Sequence, residues 1–293
     1  MASLKEIRVR IASVQSTQKI TSAMKMVSAS KLRKAQGAIL NLRPYSNKLN
    51  EILQNLSGSS DSLDAMPLFQ KRGEERVAIV VISSNRGLCG AFNTNIVKKV
   101  ESMLKEEYAQ QEAAGNVSLY CIGKKAKEQL AKHHTITWSN ETLVDNSEFE
   151  EIAKLGEQLM ADFMEKKIDS VKIVYNRFLN QATQELVQEN YLPISNLNTE
   201  GEGRGLNHDY IFEPDQQSIL TELIPKILKL QLYKTLLDSV ASEHGARMTA
   251  MHKATDNATE ILKDLRLKYN NARQSSITNE LIEIVSGAEA LNN

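Results

Sequence analysis

The chain has 293 residues, 41% of them hydrophobic, which allows a sizeable core, while 5% aromatics and only 5 prolines favour helices over a sandwich or barrel. Lys plus Arg and Asp plus Glu are both 36, yet this zero balance hides segregation: residues 1–57 carry ten basic groups against Glu6 and Glu51 alone, and residues 209–293 carry nine basic against twelve acidic. The two cysteines, Cys89 and Cys121, exclude a disulfide scaffold and a short-spaced metal site, and no apolar run reaches the ~18 residues of a spanning helix, nor does MASLKEIRVR read as a secretory signal.

From Leu4 the apolar residues fall at Leu4, Ile7, Ile11 and Val14, the alternation of threes and fours that makes a coiled-coil seam. The pattern resumes at Leu32, Ala35, Ile39, Leu42, Leu49, Leu53 and Leu56, so the stretch Ser16–Ser30 between them reads as a slip of four residues that locally unwinds the supercoil. That stretch is rich in Ser, Thr and Ala around Ile20, Met24, Met26 and Val27, which gives it a thin surface. Ser57-Gly58-Ser59-Ser60-Asp61 stops the helix, and a linker follows to Gly73.

The grammar then changes. Arg76–Ser83 is an apolar run of strand length, as a strand buried on both faces requires. Helix is expected over 93–107, strand over 117–122, helix over 124–133, a short strand over 135–138, helix over 148–166 and strand over 170–175, a βαβ series that makes a mostly parallel sheet. Gln184–Pro193 and Tyr210–Phe212 add edge strands around a Gly-rich loop at 200–205. From Asp215 helical periodicity returns, with a kink or restart expected at Pro225. Its seam is Met248, Met251, Thr255, Ala258, Leu262, Leu265, Tyr269 and Ala272, followed by an apolar stripe at Ile277, Leu281, Ile284 and Ala288.

The first and last helices would measure roughly 80 Å and over 100 Å at ~1.5 Å per residue, too long for the inside of a domain. They bury their seams most simply on each other, antiparallel. The fold class is therefore α/β: a long antiparallel coiled coil of the N-terminal (1–57) and C-terminal (215–293) helices plus a central Rossmann-like α/β domain (74–213). If Ser57 and Asp215 are level, facing residues add to about 272. Met24 then faces Met248, and residues 271–293 lack a partner in this chain.

The loop Ser83-Ser84-Asn85-Arg86-Gly87-Leu88-Cys89-Gly90 follows a strand and opens a helix, where a nucleotide-binding fold would cradle phosphate. It lacks G-x-G-x-x-G and the Gly-Lys-Ser/Thr ending of a P-loop, so its glycines serve a tight turn more readily than a nucleotide. His133 and His134 suit a helix C-terminus, and His208, His244 and His252 form no ligand cluster with them, which leaves no metal site. The basic first helix has two alternatives: a nucleic-acid surface, or a solvated face turned towards an acidic protein. The second fits charges interleaved with a seam and no aromatic before Tyr45. Met24, Met26, Met248 and Met251 read as packing.

Longer strings carry a resemblance. Residues 11–27 (IASVQSTQKITSAMKMV) with 30–35 (SKLRKA), 84–93 (SNRGLCGAFN), 242–251 (SEHGARMTAM), 254–258 (ATDNA) and 272–288 (ARQSSITNELIEIVSGA) together resemble the gamma-subunit family of rotary ATP synthases over the whole chain. The resemblance implies a non-catalytic shaft without cofactor or metal, coupling ion flow through a membrane ring to ATP synthesis or hydrolysis. Its partners would be three alpha and three beta subunits, the epsilon subunit and the ring of c subunits, with no nucleic acid. It implies a peripheral position on the cytoplasmic face of a bacterial inner membrane, or the matrix side in an organelle. Contacts with the alpha/beta hexamer are implied for Met24, Arg33, Lys34, Arg247, Arg273, Gln274, Ile277, Thr278, Glu280, Leu281 and Ile284. Contacts with the c ring and epsilon are implied for Tyr210 and Glu213. The cysteine pair inserted in redox-regulated chloroplast members is not matched, so thiol control does not carry over.

Overall fold

The computed structural model describes residues 4–56, 66–194 and 215–292. Helix α1 spans Leu4–Leu56, and helix α7 spans Gln216–Asn292. Between them lie β1 (Val77–Ile82), α2 (Phe92–Ser102), α3 (Ala109–Ala113), β2 (Val117–Ile122), α4 (Lys124–Leu130), β3 (Ile136–Asn140), α5 (Thr142–Asn146), α6 (Phe149–Met164), β4 (Ser170–Phe178) and β5 (Gln184–Leu192). The chain groups into two compact units, Met1–Ser28 with Met248–Asn293, and Ala29–Arg247.

In the first unit α1 and α7 pair antiparallel. Thr21 and Thr255 bring their hydroxyl oxygens to 2.9 Å, Gln18 Nε2 donates to Thr259 Oγ1 at 2.7 Å, and Arg8 Nη2 donates to the Tyr269 hydroxyl at 2.9 Å. Lys25 Nζ lies 3.4 Å from His252 Nδ1. Facing residues thus add to 276 or 277, not 272, and Met24 lies about level with Lys253 rather than Met248. The pairs Arg8–Tyr269, Gln18–Thr259 and Thr21–Thr255 fix this register, with Met251, Ala258, Leu262 and Leu265 buried along the seam, and it replaces the assumption that the two helices start level.

The expected four-residue slip is absent. Burial on α1 steps from Val14 through Gln18, Thr21, Lys25 and Ser28 to Leu32, alternating fours and threes without a break. Four polar residues occupy seam positions there, and Ile20, Met26 and Val27 point to solvent. A search for apolar periodicity is blind to such a stretch, and the interval from Val14 to Leu32 is what an unbroken heptad gives.

The second unit holds a five-stranded sheet in the order β3-β2-β1-β4-β5. β1 pairs in parallel with β2 and β4, β2 in parallel with β3, and β5 closes the edge antiparallel to β4. Every residue of β1 is buried, as its unbroken apolar run requires. Val77, Ile79 and Val81 share one core cluster with Phe92, Ile96 and Val100 of α2 and Leu130 of α4. The expected helix over 93–107 ends at Ser102 and continues as one π-helical turn, Met103–Glu107, closed by Tyr108 N–H donating to Met103 O at 2.9 Å. The short helix α5 has no counterpart in the sequence reading. Tyr210–Phe212 and the loop 200–205 lie outside the described residues.

Helix α7 runs through Pro225 as one helix, so of the expected kink or restart the restart does not occur. Proline deprives the Thr221 carbonyl of its helical donor, and exposed Thr221 can give that carbonyl to water. Further along, α7 lies against strand ends: Ser239 Oγ donates to Ile82 O at 3.5 Å and Ser242 Oγ to Asn176 O at 2.9 Å. Gly245 permits this approach, since a Cβ there would sit 3.3 Å from Gln181 O and 3.4 Å from Phe178 Cε2.

Candidate functional site

The loop after β1 is held at every turn. Asn93 Oδ1 accepts Ser84 N–H at 3.1 Å, and Ser84 Oγ donates to Arg86 O at 2.7 Å. Asn85 Nδ2 donates to Glu141 O at 2.7 Å and Asp145 Oδ2 at 2.8 Å, while its Oδ1 accepts Lys124 N–H at 3.1 Å. Gly123 stands at φ +95 and a Cβ there would lie 2.2 Å from Ser83 O, so both the backbone conformation and the close approach of the start of α4 to β1 require glycine. Leu88 stands at φ +63 with its side chain 63% exposed.

What reaches this loop from α7 is Arg247. Its side chain is buried, with Nε donating to Gly87 O at 3.3 Å and Nη2 to Arg86 O at 3.0 Å and Gly87 O at 3.2 Å. Nη1 donates to Glu243 Oε1 at 2.6 Å and lies 3.3 Å from His244 Nδ1. Burial pushes the Glu243 carboxyl up, and the Arg247 charge pulls it back down. Burial first, then the charges of Arg247 and Lys31, pushes His244 down to about 4, which leaves the ring neutral and its Nδ1 free to accept. The loop therefore turns carbonyl oxygens towards a guanidinium. A phosphate cradle would need N–H groups facing the ligand.

Neither thiol is prepared for nucleophilic work. Burial raises Cys89 despite the hydrogen bond from Ser84 and the Arg247 charge, and pushes Cys121 up to about 12. Among the described residues no group of His, Cys, Asp and Glu could hold a metal ion, and no helix is long and apolar enough to cross a membrane.

The residues singled out in the sequence fall in several separate places. Lys31, Arg33 and Lys34 form an exposed basic patch on α1, and Met24 is half-buried in the other unit. Arg273 and Gln274 are exposed on α7, and Thr278 Oγ1 donates back to Gln274 O at 2.9 Å while Ser276 Oγ donates to Glu280 Oε1 at 3.2 Å. Beyond them Ile277, Leu281 and Ile284 are exposed, joined by Ile282 and Val285, with values from 49% to 67%. Tyr210 and Glu213 lie outside the described residues. Arg247 stands apart from the rest, since its donors are engaged within this chain. The Glu243–Arg247 ion pair was visible in the sequence as a pair four apart on a helix. The Arg86 and Gly87 carbonyls that complete the cluster lie about 160 residues away and left no signal.

A family model described as ATP synthase matches residues 3–291. The chain is 53% identical over 292 residues to the ATP synthase gamma chain of Christiangramia forsetii, and 50% identical over 292 residues to that of Flavobacterium johnsoniae, each covering 100% of both proteins. Among solved structures it resembles a chain of the Euglena gracilis mitochondrial ATP synthase (OSCP/F1/c-ring) with a TM-score of 0.66 at 21% identity, covering 98% of this chain and 94% of that one. A chain from the central stalk and c-ring of the Tetrahymena thermophila mitochondrial enzyme gives 0.60 at 24% identity, covering 80% and 99%.

Proposed function

The chain belongs to the ATP synthase gamma chain family, and from that premise we infer that it is the central rotor shaft of an F-type ATP synthase. It couples ion flow through a membrane ring to ATP synthesis or hydrolysis in a hexamer of three alpha and three beta subunits. It works by rotation and contributes no catalytic group, cofactor or metal. Epsilon and the c ring hold its foot, through Tyr210 and Glu213, so its membrane association is peripheral, on the cytoplasmic face of the inner membrane. An asymmetric helix pair turning among three equivalent beta subunits presents each with a different face and biases each towards a different state.

The observation that carries this reading is the apolar stripe of α7. Ile277, Leu281, Ile282, Ile284 and Val285 are exposed on a helix that is marginal alone in water, and burying such side chains yields roughly 1.5 to 3 kcal/mol each. The occupant is an apolar sleeve of alpha and beta subunits, with Arg273, Gln274, Thr278 and Glu280 at its mouth and Met24, Arg33 and Lys34 at an acidic rim below. Apolar contacts suit rotation because they are weakly directional. Arg247 acts on this assembly through its own chain's loop rather than by direct contact. Hydrogen exchange tests the reading: residues 277–288 should exchange freely in the isolated chain and be protected in complex with the alpha and beta subunits. Equal protection in both states would overturn it.

A further inference from the structure

We propose that Arg247 is a positioning residue, a torsional latch that locks the last helix to the central domain so that a twist applied to one is passed to the other. The proposal rests on the rotor reading above. Within the second unit, α7 meets the loop after β1 through a set of directional bonds: the guanidinium ties the Arg86 and Gly87 carbonyls to Glu243, its own neighbour four residues back. Packing alone resists separation but allows sliding, whereas a planar fork with its donors fixed at both ends resists rotation about the helix.

Three features point to a latch rather than an incidental buried ion pair. Arg86 O is shared between Arg247 and Ser84 Oγ, and Ser84 is in turn bonded to Asn93 at the start of α2, so strain entering at Arg247 reaches β1 and α2 through hydrogen bonds. Asn85 carries the same connection sideways to Glu141, Asp145 and Lys124. The loop also holds Leu88 in the left-handed region, a conformation that a non-glycine residue keeps only where its surroundings over-determine it. His244, neutral and accepting, completes the set without adding a second charge. Lysine could not replace arginine here, because one ammonium cannot bridge two carbonyls and a carboxylate in a plane.

The test uses the assembled membrane complex with Arg247→Ala, Arg247→Lys and Glu243→Gln, and measures ions pumped per ATP hydrolysed. Arg247→Ala should lower that ratio several-fold and Glu243→Gln less. Arg247→Lys should fall near Arg247→Ala, since charge without the fork does not restore the latch. In the isolated chain, exchange of the Ser84, Lys124 and Lys125 amides, which donate to Asn93 Oδ1, Asn85 Oδ1 and Ser84 O, should rise about tenfold or more in Arg247→Ala, the loss expected for a charge-assisted hydrogen bond. If pumping and hydrolysis fall together at a constant ratio, Arg247 only stabilises the fold and the proposal is wrong. Faster loop exchange with an unchanged ratio would mean a contact that carries no torque, and unchanged exchange would mean no latch. Either result overturns it. Failure of the unaltered chain to assemble with alpha and beta subunits would strike down the rotor reading, and this proposal with it, in a control separate from the variants.

Discussion

Between residues 238 and 247 helix α7 buries Asp238, Glu243, His244 and Arg247, whereas between 277 and 285 it exposes Ile277, Leu281, Ile282, Ile284 and Val285. This inverts the usual preference of charged side chains for water and apolar ones for the interior. The difference shows that burial along one helix follows the available partners rather than residue type. The α/β unit offers carbonyls, carboxylates and cations that make buried charge tolerable. The far stretch meets nothing among the described residues that would cover its apolar side chains.

Truncation after Ser276 breaks the comparison at its exposed end and should have the largest effect. The isolated truncated chain should melt as the full chain does, because no core side chain is lost. Its affinity for the alpha/beta hexamer should fall by about a hundredfold or more, as the loss of even two well-buried aliphatic side chains implies. Titration of the hexamer with both forms measures this, and equal affinities would show that the stripe is not the docking surface.

The buried end is tested through Asp238, which lies in a cavity of about 380 Å³ lined also by Arg43, Arg177, Glu189 and Lys234. Burial pushes its carboxyl up to about 6, although Lys234, Arg177 and Arg43 pull downward. A carboxyl raised in the folded state costs stability once the pH passes its unfolded value near 4. That cost grows as the pH rises towards 6 and is constant above. Asp238→Asn should therefore stabilise the isolated chain by on the order of 2 kcal/mol at pH 8 and by little at pH 4. Thermal or urea unfolding at the two pH values reads the difference. Destabilisation at pH 8 would show that the three cations outweigh the burial.

The same contrast explains which parts of the molecule could be read from sequence. Strand β1 was legible because all six residues are apolar, and the unpartnered stripe because Ile277, Leu281 and Ile284 keep helical spacing past the end of the seam. The seam through Gln18, Thr21, Lys25 and Ser28 was not legible, since polar residues at packing positions leave no hydrophobic period. The π-helical turn at Met103–Glu107 was missed for a similar reason: α-helical propensity continues through it, and only the Tyr108-to-Met103 bond marks it. The Arg247 cluster was half legible, its Glu243 partner lying on the same helix and its carbonyl partners far away in the chain.

The register of the coiled coil decides where the unpartnered stretch begins, and it carries the smallest expected energetic effect. Register could not be read from sequence, because each helix carries its own seam and nothing local says which residue faces which. The structure sets it through Arg8 with Tyr269, Gln18 with Thr259 and Thr21 with Thr255. By that register Leu4 lies about level with Arg273, and burial agrees: Ala272 and Ser276 are half-buried and every described side chain from Ile277 to Ala288 is exposed. Cysteines in place of Thr21 and Thr255 should oxidise to a disulfide in the folded chain, since the two hydroxyl oxygens already lie 2.9 Å apart. A pair at Met24 and Met248 should not, because five residues of helix displace the partners by about 7 Å, more than side chains of that length can span. The helix content of the crosslinked chain should be unchanged. Efficient crosslinking at Met24 and Met248 with none at Thr21 and Thr255 would move the register by about one and a half turns. It would also lengthen the unpartnered tip, so that it begins at residue 271 and includes Arg273 and Gln274.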